Sequence, residues 1–144
     1  MKIYYESKLA KLILFPGFGT IMLFGGVFTK REKLSDSVIV HEFTHCKQYW
    51  TLFVTGLILA LITFFIWTSL SEMNWWMLTL LSVPFLLFYV WYLLEAFIRV
   101  FINGPSNAYD NISFEKRANE VEDKYDGSPI EEFVNNNYKP FDWL

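Results

Sequence analysis

The stretch Val40-His41-Glu42-Phe43-Thr44-His45 contains both histidines of the chain, in the spacing HExxH. Residues four apart on a helix share a face, so His41 and His45 can offer two imidazole nitrogens to one tetrahedral Zn²⁺. Glu42 lies beside them, where a carboxylate can act as general base on a metal-activated water and pass the proton to a leaving amine. The pattern therefore predicts a catalytic metal site on a helix.

The residues around this pattern favour one uninterrupted helix. Ser35 can cap its N-terminus, Asp36 places an acid in its first turn, and no Pro or Gly interrupts residues 36–50. In a plainer interpretation the histidines are ordinary helix residues and HExxH is a coincidence. A chain with only two histidines has no evident structural reason to place both in this arrangement, so we favour the metal site.

Composition indicates a membrane protein. The 144 residues are 53% hydrophobic and 20% aromatic, more apolar than is usual for a soluble domain of this size. A formal net charge of −3 gives no indication of nucleic-acid binding. Cys46 is the single cysteine, so no intramolecular disulfide is possible. The N-terminus lacks the long apolar region and small-residue cleavage site of a signal peptide, and we expect none to be cleaved.

Two long segments predict a pair of membrane-spanning helices. Residues 49–70 and 75–94 carry no charged side chain, and each is long enough to cross a bilayer. We expect spans at about 49–70 and 75–98, with a kink at Pro84. Every Lys and Arg lies outside the short loop between them, so both termini and the HExxH helix are expected on the cytoplasmic side. The second span has aromatic residues toward its ends, as in an interfacial belt: Trp75, Trp76, Trp91 and Tyr92.

A β-hairpin is expected before the metal helix. Pro16 and four glycines break the apolar segment at 12–28, which favours two short strands at 20–24 and 27–29 around a Gly-Gly turn. An exposed edge strand there can bind an extended peptide by main-chain hydrogen bonds, and a buried or membrane-dipping hairpin without a substrate role is the open alternative. The candidate substrate-binding residues are Thr20, Ile21, Met22 and Leu23.

Two histidines and a water leave a catalytic zinc one protein ligand short. The segment at 113–122 predicts a second soluble helix capped at Ser113, and Glu115 in its first turn is the candidate third ligand. Asn119, four residues on, is placed to hydrogen-bond a ligating imidazole. The other carboxylates that remain possible are Glu120, Glu122 and Glu95, although Glu95 is more simply explained by an ion pair with Arg99.

This order of parts resembles the integral-membrane gluzincin metallopeptidases of the HtpX and CAAX-prenyl-protease type. In that family a Glu in an E-x-x-A-D motif is the third zinc ligand, which Glu115-Lys116-Arg117-Ala118-Asn119 resembles, with Asn119 in place of the Asp. The resemblance implies that His41 and His45 are ligands and that Glu42 is the base. The leading transmembrane helices of larger relatives have no counterpart here. No third histidine remains for oxyanion stabilisation, so a tyrosine such as Tyr109 or Tyr125, or an Arg, would have to serve in that role.

We therefore expect a mainly α membrane protein, zincin-like and α+β in its soluble part. A two-helix transmembrane hairpin (49–102) is inserted between the β segment with the HExxH helix (1–48) and the third-ligand helix with the C-terminal tail (103–144), all in one metallopeptidase domain. The expected function is zinc-dependent endopeptidase, acting on a peptide or protein substrate at the bilayer. The alternatives are a non-catalytic membrane protein with a structural or decayed metal site, and an adaptor whose HExxH is coincidental.

Overall fold

The computed structural model describes residues 1–14, 16–72, 74–104 and 107–143. It is mainly helical with one small sheet, as predicted. The two longest helices are antiparallel neighbours along the chain, and the shorter elements pack around the start of the first and the end of the second. In chain order the elements are β1 (Lys2–Tyr4), α1 (Lys8–Ile13), β2 (Thr20–Leu23), β3 (Gly26–Thr29), α2 (Asp36–Leu70), a 3₁₀ segment (Trp75–Ser82), α3 (Val83–Asn103), a 3₁₀ turn (Tyr109–Asn111), α4 (Ser113–Glu122) and α5 (Ile130–Asn137).

Helix α2 carries both the HExxH pattern and the expected first span in 35 continuous residues. The expected boundary between these parts at residue 48 is not present, because no residue there breaks the helix. Ser35 is the N-cap position, as predicted, although its hydroxyl contacts that of Ser37 at 3.3 Å and makes no cap hydrogen bond. A Cβ at Gly56 would lie 3.1 Å from the Cα of Pro84, so this glycine permits close approach of α2 and α3.

The second apolar segment is built differently from expectation. Its first part is 3₁₀ helix, and Pro84 lies in the first turn of α3, where a missing N–H costs nothing, so it does not kink a continuous helix. Helix α3 then continues to Asn103, beyond the expected end at residue 98. The segments Asp36–Leu70 and Trp75–Asn103 have mean hydropathies of 2.2 and 2.0, and both are long enough to cross a membrane.

The predicted hairpin is present, with its turn one residue earlier than expected. Strands β2 and β3 are antiparallel, and Phe24 and Gly25 form the turn with φ of 51° and 77°. Positive φ at both central residues is the type I′ geometry that suits the twist of a hairpin. Strand β1 pairs in parallel with β3, which makes β3 central and leaves β2 as an edge strand.

Helix α4 begins at Ser113, but Ile112 occupies the N-cap position that was expected for Ser113. The cap is supplied by Glu95 of α3, whose carboxylate accepts hydrogen bonds from the Ser113 N–H (2.9 Å) and hydroxyl (2.6 Å). The expected ion pair of Glu95 with Arg99 is also present, at 3.1 Å. An acid is favourable at a helix N-terminus, so Glu95 ties α4 to the end of α3.

The C-terminal tail packs closely onto the helices. Phe133 and Val134 of α5 and Trp143 are buried. Arg117 of α4 donates a hydrogen bond to the Asn137 carbonyl at 2.6 Å and forms an ion pair with Asp142 at 2.5 Å. The tail therefore helps to hold α4, and with it Glu115, against α2.

Candidate metal site

His41 and His45 lie one turn apart on the first part of α2, before its long apolar stretch. Their Nε2 atoms are 3.0 Å apart and their rings are edge to face. The i, i+4 spacing thus brings the two imidazoles together as expected.

Glu115, in the first turn of α4, completes a three-residue group. Its Oε2 lies 3.4 Å from His41 Nε2 and its Oε1 3.4 Å from His45 Nε2. The potential ligand atoms of the three residues all lie within 4.8 Å of one another, so the group could hold a metal ion. Ligand atoms about 2.0 Å from a tetrahedral zinc are about 3.3 Å apart, which is close to the 3.0 Å and 3.4 Å that separate the nearest of these atoms.

The carboxylate of Glu115 is under-satisfied for a buried charge. The side chain is 3% exposed, and Oε2 has no hydrogen-bond partner among the described residues. Oε1 accepts a hydrogen bond from the Tyr92 hydroxyl at 2.7 Å. Burial alone would raise the pKa of Glu115, but the His41 and His45 imidazoles, each 3.4 Å from one of its oxygens, hold that pKa below its ordinary value. An anionic, buried oxygen without a partner is costly, and a cation at this position would remove that cost.

Acceptors behind each imidazole orient the rings. The Nδ1 of His41 lies 3.0 Å from Glu122 Oε2, and the Nδ1 of His45 lies 2.8 Å from Gln48 Oε1. Each ring can therefore donate its Nδ1 proton outward and direct a bare Nε2 toward Glu115. Gln48 also donates to the carbonyl of Phe114 at 3.1 Å, which joins the histidine helix to the start of α4.

Asn119, the residue expected in this supporting role, does not occupy it. Asn119 lies on the exposed face of α4, and its side chain makes no hydrogen bond to either imidazole in the part of the chain that the structure describes. Glu122 and Gln48 occupy the positions instead. Helical spacing could have indicated both, since Glu122 is two turns beyond Glu115 and Gln48 is one turn beyond His45.

Replacing Gln48 by Leu is expected to weaken metal binding by about 10- to 100-fold, since ring orientation and ligand basicity are lost without loss of a ligand. Competition between the folded protein and a fluorescent zinc chelator measures the change. Asn119→Ala is the control and should leave the affinity unaltered. If Asn119→Ala weakened binding and Gln48→Leu did not, the orientation described above would be contradicted.

Glu42 lies next to the histidines on α2 and lines the same cavity. It is 8% exposed, and its carboxylate makes no hydrogen bond within the described residues. Burial raises the pKa of Glu42, an effect that His45 and His41 oppose. A carboxylate whose pKa is raised in this way is suited to accepting a proton and delivering it again.

The cavity beside these residues has a volume of about 760 Å³. All four residues of β2 line it, so the structure brings Thr20, Ile21, Met22 and Leu23 next to His41, Glu42 and His45. The Lys30 N–H donates to the Gly19 carbonyl at 2.9 Å, so Gly19 and Lys30 are a hydrogen-bonded pair next to the β2–β3 ladder. The pair Thr20 and Thr29, one step further along, is then a non-hydrogen-bonded pair. Alternation along an antiparallel pair then leaves the main-chain N–H and C=O of Thr20 and Met22 on the free edge.

The two tyrosines proposed for oxyanion stabilisation lie in different places. Tyr109 lines the cavity, and burial followed by the Glu115 carboxylate raises its pKa, so its hydroxyl stays protonated and can donate. Tyr125 donates to the Ser128 carbonyl at 2.9 Å and is not among the residues lining the cavity. Tyr92 lines the cavity as well, a position that its interpretation as an interfacial aromatic did not anticipate.

No family model matches this sequence, and no curated protein and no solved structure shows detectable similarity to it. The chemistry that the site can perform must therefore be inferred from its own residues. Two imidazoles and one carboxylate are a donor set that zinc accepts, beside a cavity that a water and a larger ligand can enter.

Proposed function

We propose that this protein is a zinc-dependent membrane endopeptidase, in which His41, His45 and Glu115 hold the ion and Glu42 is the general base. The observation that supports this most directly is the approach of Glu115 to the HExxH pair across 70 residues of chain, with a buried carboxylate oxygen left without a partner. The order of motifs that resembles membrane gluzincins is consistent with it.

When bound, zinc would supply a Lewis acid that polarises the scissile carbonyl and lowers the pKa of a water. Proton transfer and stabilisation of the developing charge depend on residues of the chain. Glu42 accepts the proton of the attacking water and delivers it to the leaving amine. Tyr109 carries a hydroxyl in the cavity that can donate toward the oxygen on which negative charge develops, whereas the Tyr92 hydroxyl already donates to Glu115.

The free edge of β2 suits an extended peptide. A substrate strand added there would form main-chain hydrogen bonds with Thr20 and Met22, and its scissile bond would lie beside Glu42 and the metal ligands. Main-chain pairing recognises any extended chain, whereas the cavity walls select the side chains. We propose a peptide or protein substrate at the membrane surface.

We further propose that the two apolar helices cross the bilayer and that both termini and the site are cytoplasmic. The short connection between the spans carries Glu72 and no Lys or Arg, whereas all twelve basic residues lie outside it. Positive charge is retained on the cytoplasmic side of membranes, which favours this orientation.

The proposal is tested by metal content and hydrolysis on one preparation. Purified protein in detergent is assayed with fluorogenic casein, then treated with 1,10-phenanthroline, and metals are measured by mass spectrometry. We expect near-stoichiometric zinc, loss of hydrolysis on chelation and recovery on adding zinc back. Hydrolysis that survives complete metal removal would contradict the proposal. Bound metal without hydrolysis of any peptide would favour the non-catalytic alternative.

A further inference from the structure

Helix α1 presents an apolar face to the outside of the protein. Ser7 caps the helix by accepting from the Ala10 N–H at 3.3 Å, and Ala10 is fully buried against the body of the protein. Leu9, Leu12 and Ile13 are 39%, 84% and 46% exposed. Their i, i+3, i+4 spacing places them on one stripe, which we call the α1 face.

The α1 face continues into the apolar surface of the second span. Ile13 and Phe18 line the cavity together with Leu93 and Phe97 of α3, and all four side chains are exposed at its border. The segment Trp75–Asn103, which includes α3, is long and apolar enough to cross a membrane. An apolar stripe that shares a border with such a helix lies within reach of the same bilayer.

Charge on this part of the chain is positive. Residues 2–33 contain six Lys or Arg and two Glu, whereas residues 107–143 contain nine acids and four bases. Lys8 and Lys11 of α1 are exposed, and by helical geometry both lie on one side of the α1 face, next to Leu12. Lysines with long apolar stems beside an apolar stripe are typical of helices that lie in a membrane surface with anionic headgroups.

We propose that α1 is an interfacial anchor that binds anionic lipid. Leu9, Leu12 and Ile13 enter the boundary between headgroups and acyl chains, and Lys8 and Lys11 contact the acidic headgroups. Since Ile13 also lines the cavity, the anchor holds the cavity and β2 at the bilayer surface. This anchor depends on the two spans and not on the metal chemistry, so it stands or fails separately from peptidase activity.

The full chain is tested in nanodiscs of phosphatidylcholine alone or mixed with phosphatidylglycerol. An NBD fluorophore is placed at Leu12→Cys in a Cys46→Ala background, and dithionite reduces the dye wherever it meets water. A label at Asn136→Cys, an exposed site on the tail helix, is the matched control. We expect slow reduction at position 12, slowest with phosphatidylglycerol, and fast reduction at position 136 in both lipids.

Lys8→Glu together with Lys11→Glu tests the headgroup contact. Each lysine near an anionic surface shifts the docking equilibrium about fivefold, so the double variant should lose the phosphatidylglycerol effect. Unchanged metal content in the double variant would show that the metal site is intact. Reduction at position 12 as fast as at 136 in both lipids, or protection independent of phosphatidylglycerol and of the lysines, would overturn the proposal. Protection found only in discs with two copies of the protein would also overturn it, in favour of a self-association surface.

Discussion

Replacing Glu42 by Gln is expected to leave the metal in place and to lower peptide hydrolysis by about 10²- to 10⁴-fold, the range that a positioned general base contributes. The amide keeps the size and shape of the side chain but cannot accept a proton from water. His41, His45 and Glu115 do not depend on a hydrogen bond from Glu42, so zinc content should equal that of the wild type.

The Glu42→Gln variant needs a control for the loss of one acidic residue. Glu72→Gln in the exposed connection between the spans makes the same chemical change far along the chain from the site. It should retain full hydrolysis of fluorogenic casein and full zinc. Turnover retained in Glu42→Gln would remove Glu42 from the mechanism, whereas zinc lost together with turnover would mean that Glu42 supports the site structurally.

Patterns local in sequence predicted most of the architecture. The i, i+4 spacing brought His41 and His45 to one face, and uncharged length predicted two helices that are apolar enough to span a membrane. Glycines in an apolar segment predicted the hairpin, because its turn needs positive φ, which Gly25 adopts readily and which Phe24 also adopts here. In each case the deciding interaction lies within a few residues, where spacing alone reports it.

Contacts between distant elements were harder to predict. Glu95 caps α4 across 18 residues, and its ion pair with Arg99 gave no sign of that second role. Tyr92 reaches Glu115 because α3 packs beside α4, which composition cannot show. Glu115 was identifiable among several acids only by the motif around it. Glu120 pairs with Arg117 and Glu122 orients His41, so the structure gives each acid a separate contact.

Replacing Glu115 by Ala is expected to release the metal from the purified protein, with affinity lowered by more than the roughly 100-fold that loss of an orienting partner can cause. Only the two imidazoles would remain, and two ligands without a carboxylate leave the ion's charge uncompensated in a buried site. Elemental analysis beside Glu120→Ala measures the effect. Glu120 lies on the same helix, is exposed and contacts Arg117, so its loss should leave zinc content unchanged.

Loss of metal from Glu115→Ala could also follow from a disturbed fold, because Glu115 is buried where α4 packs on α2. Glu115→Gln separates the two causes. It keeps the volume and an oxygen that Tyr92 can donate to, but it removes the negative charge, so a folded protein with weakened zinc binding is expected. Circular dichroism and gel filtration would verify folding in both variants. Full zinc content in Glu115→Ala, together with loss of zinc from Glu122→Ala, would identify Glu122 as the third ligand instead of Glu115. The Glu122 carboxylate already contacts His41 at Nδ1, on the opposite side of the ring from Glu115.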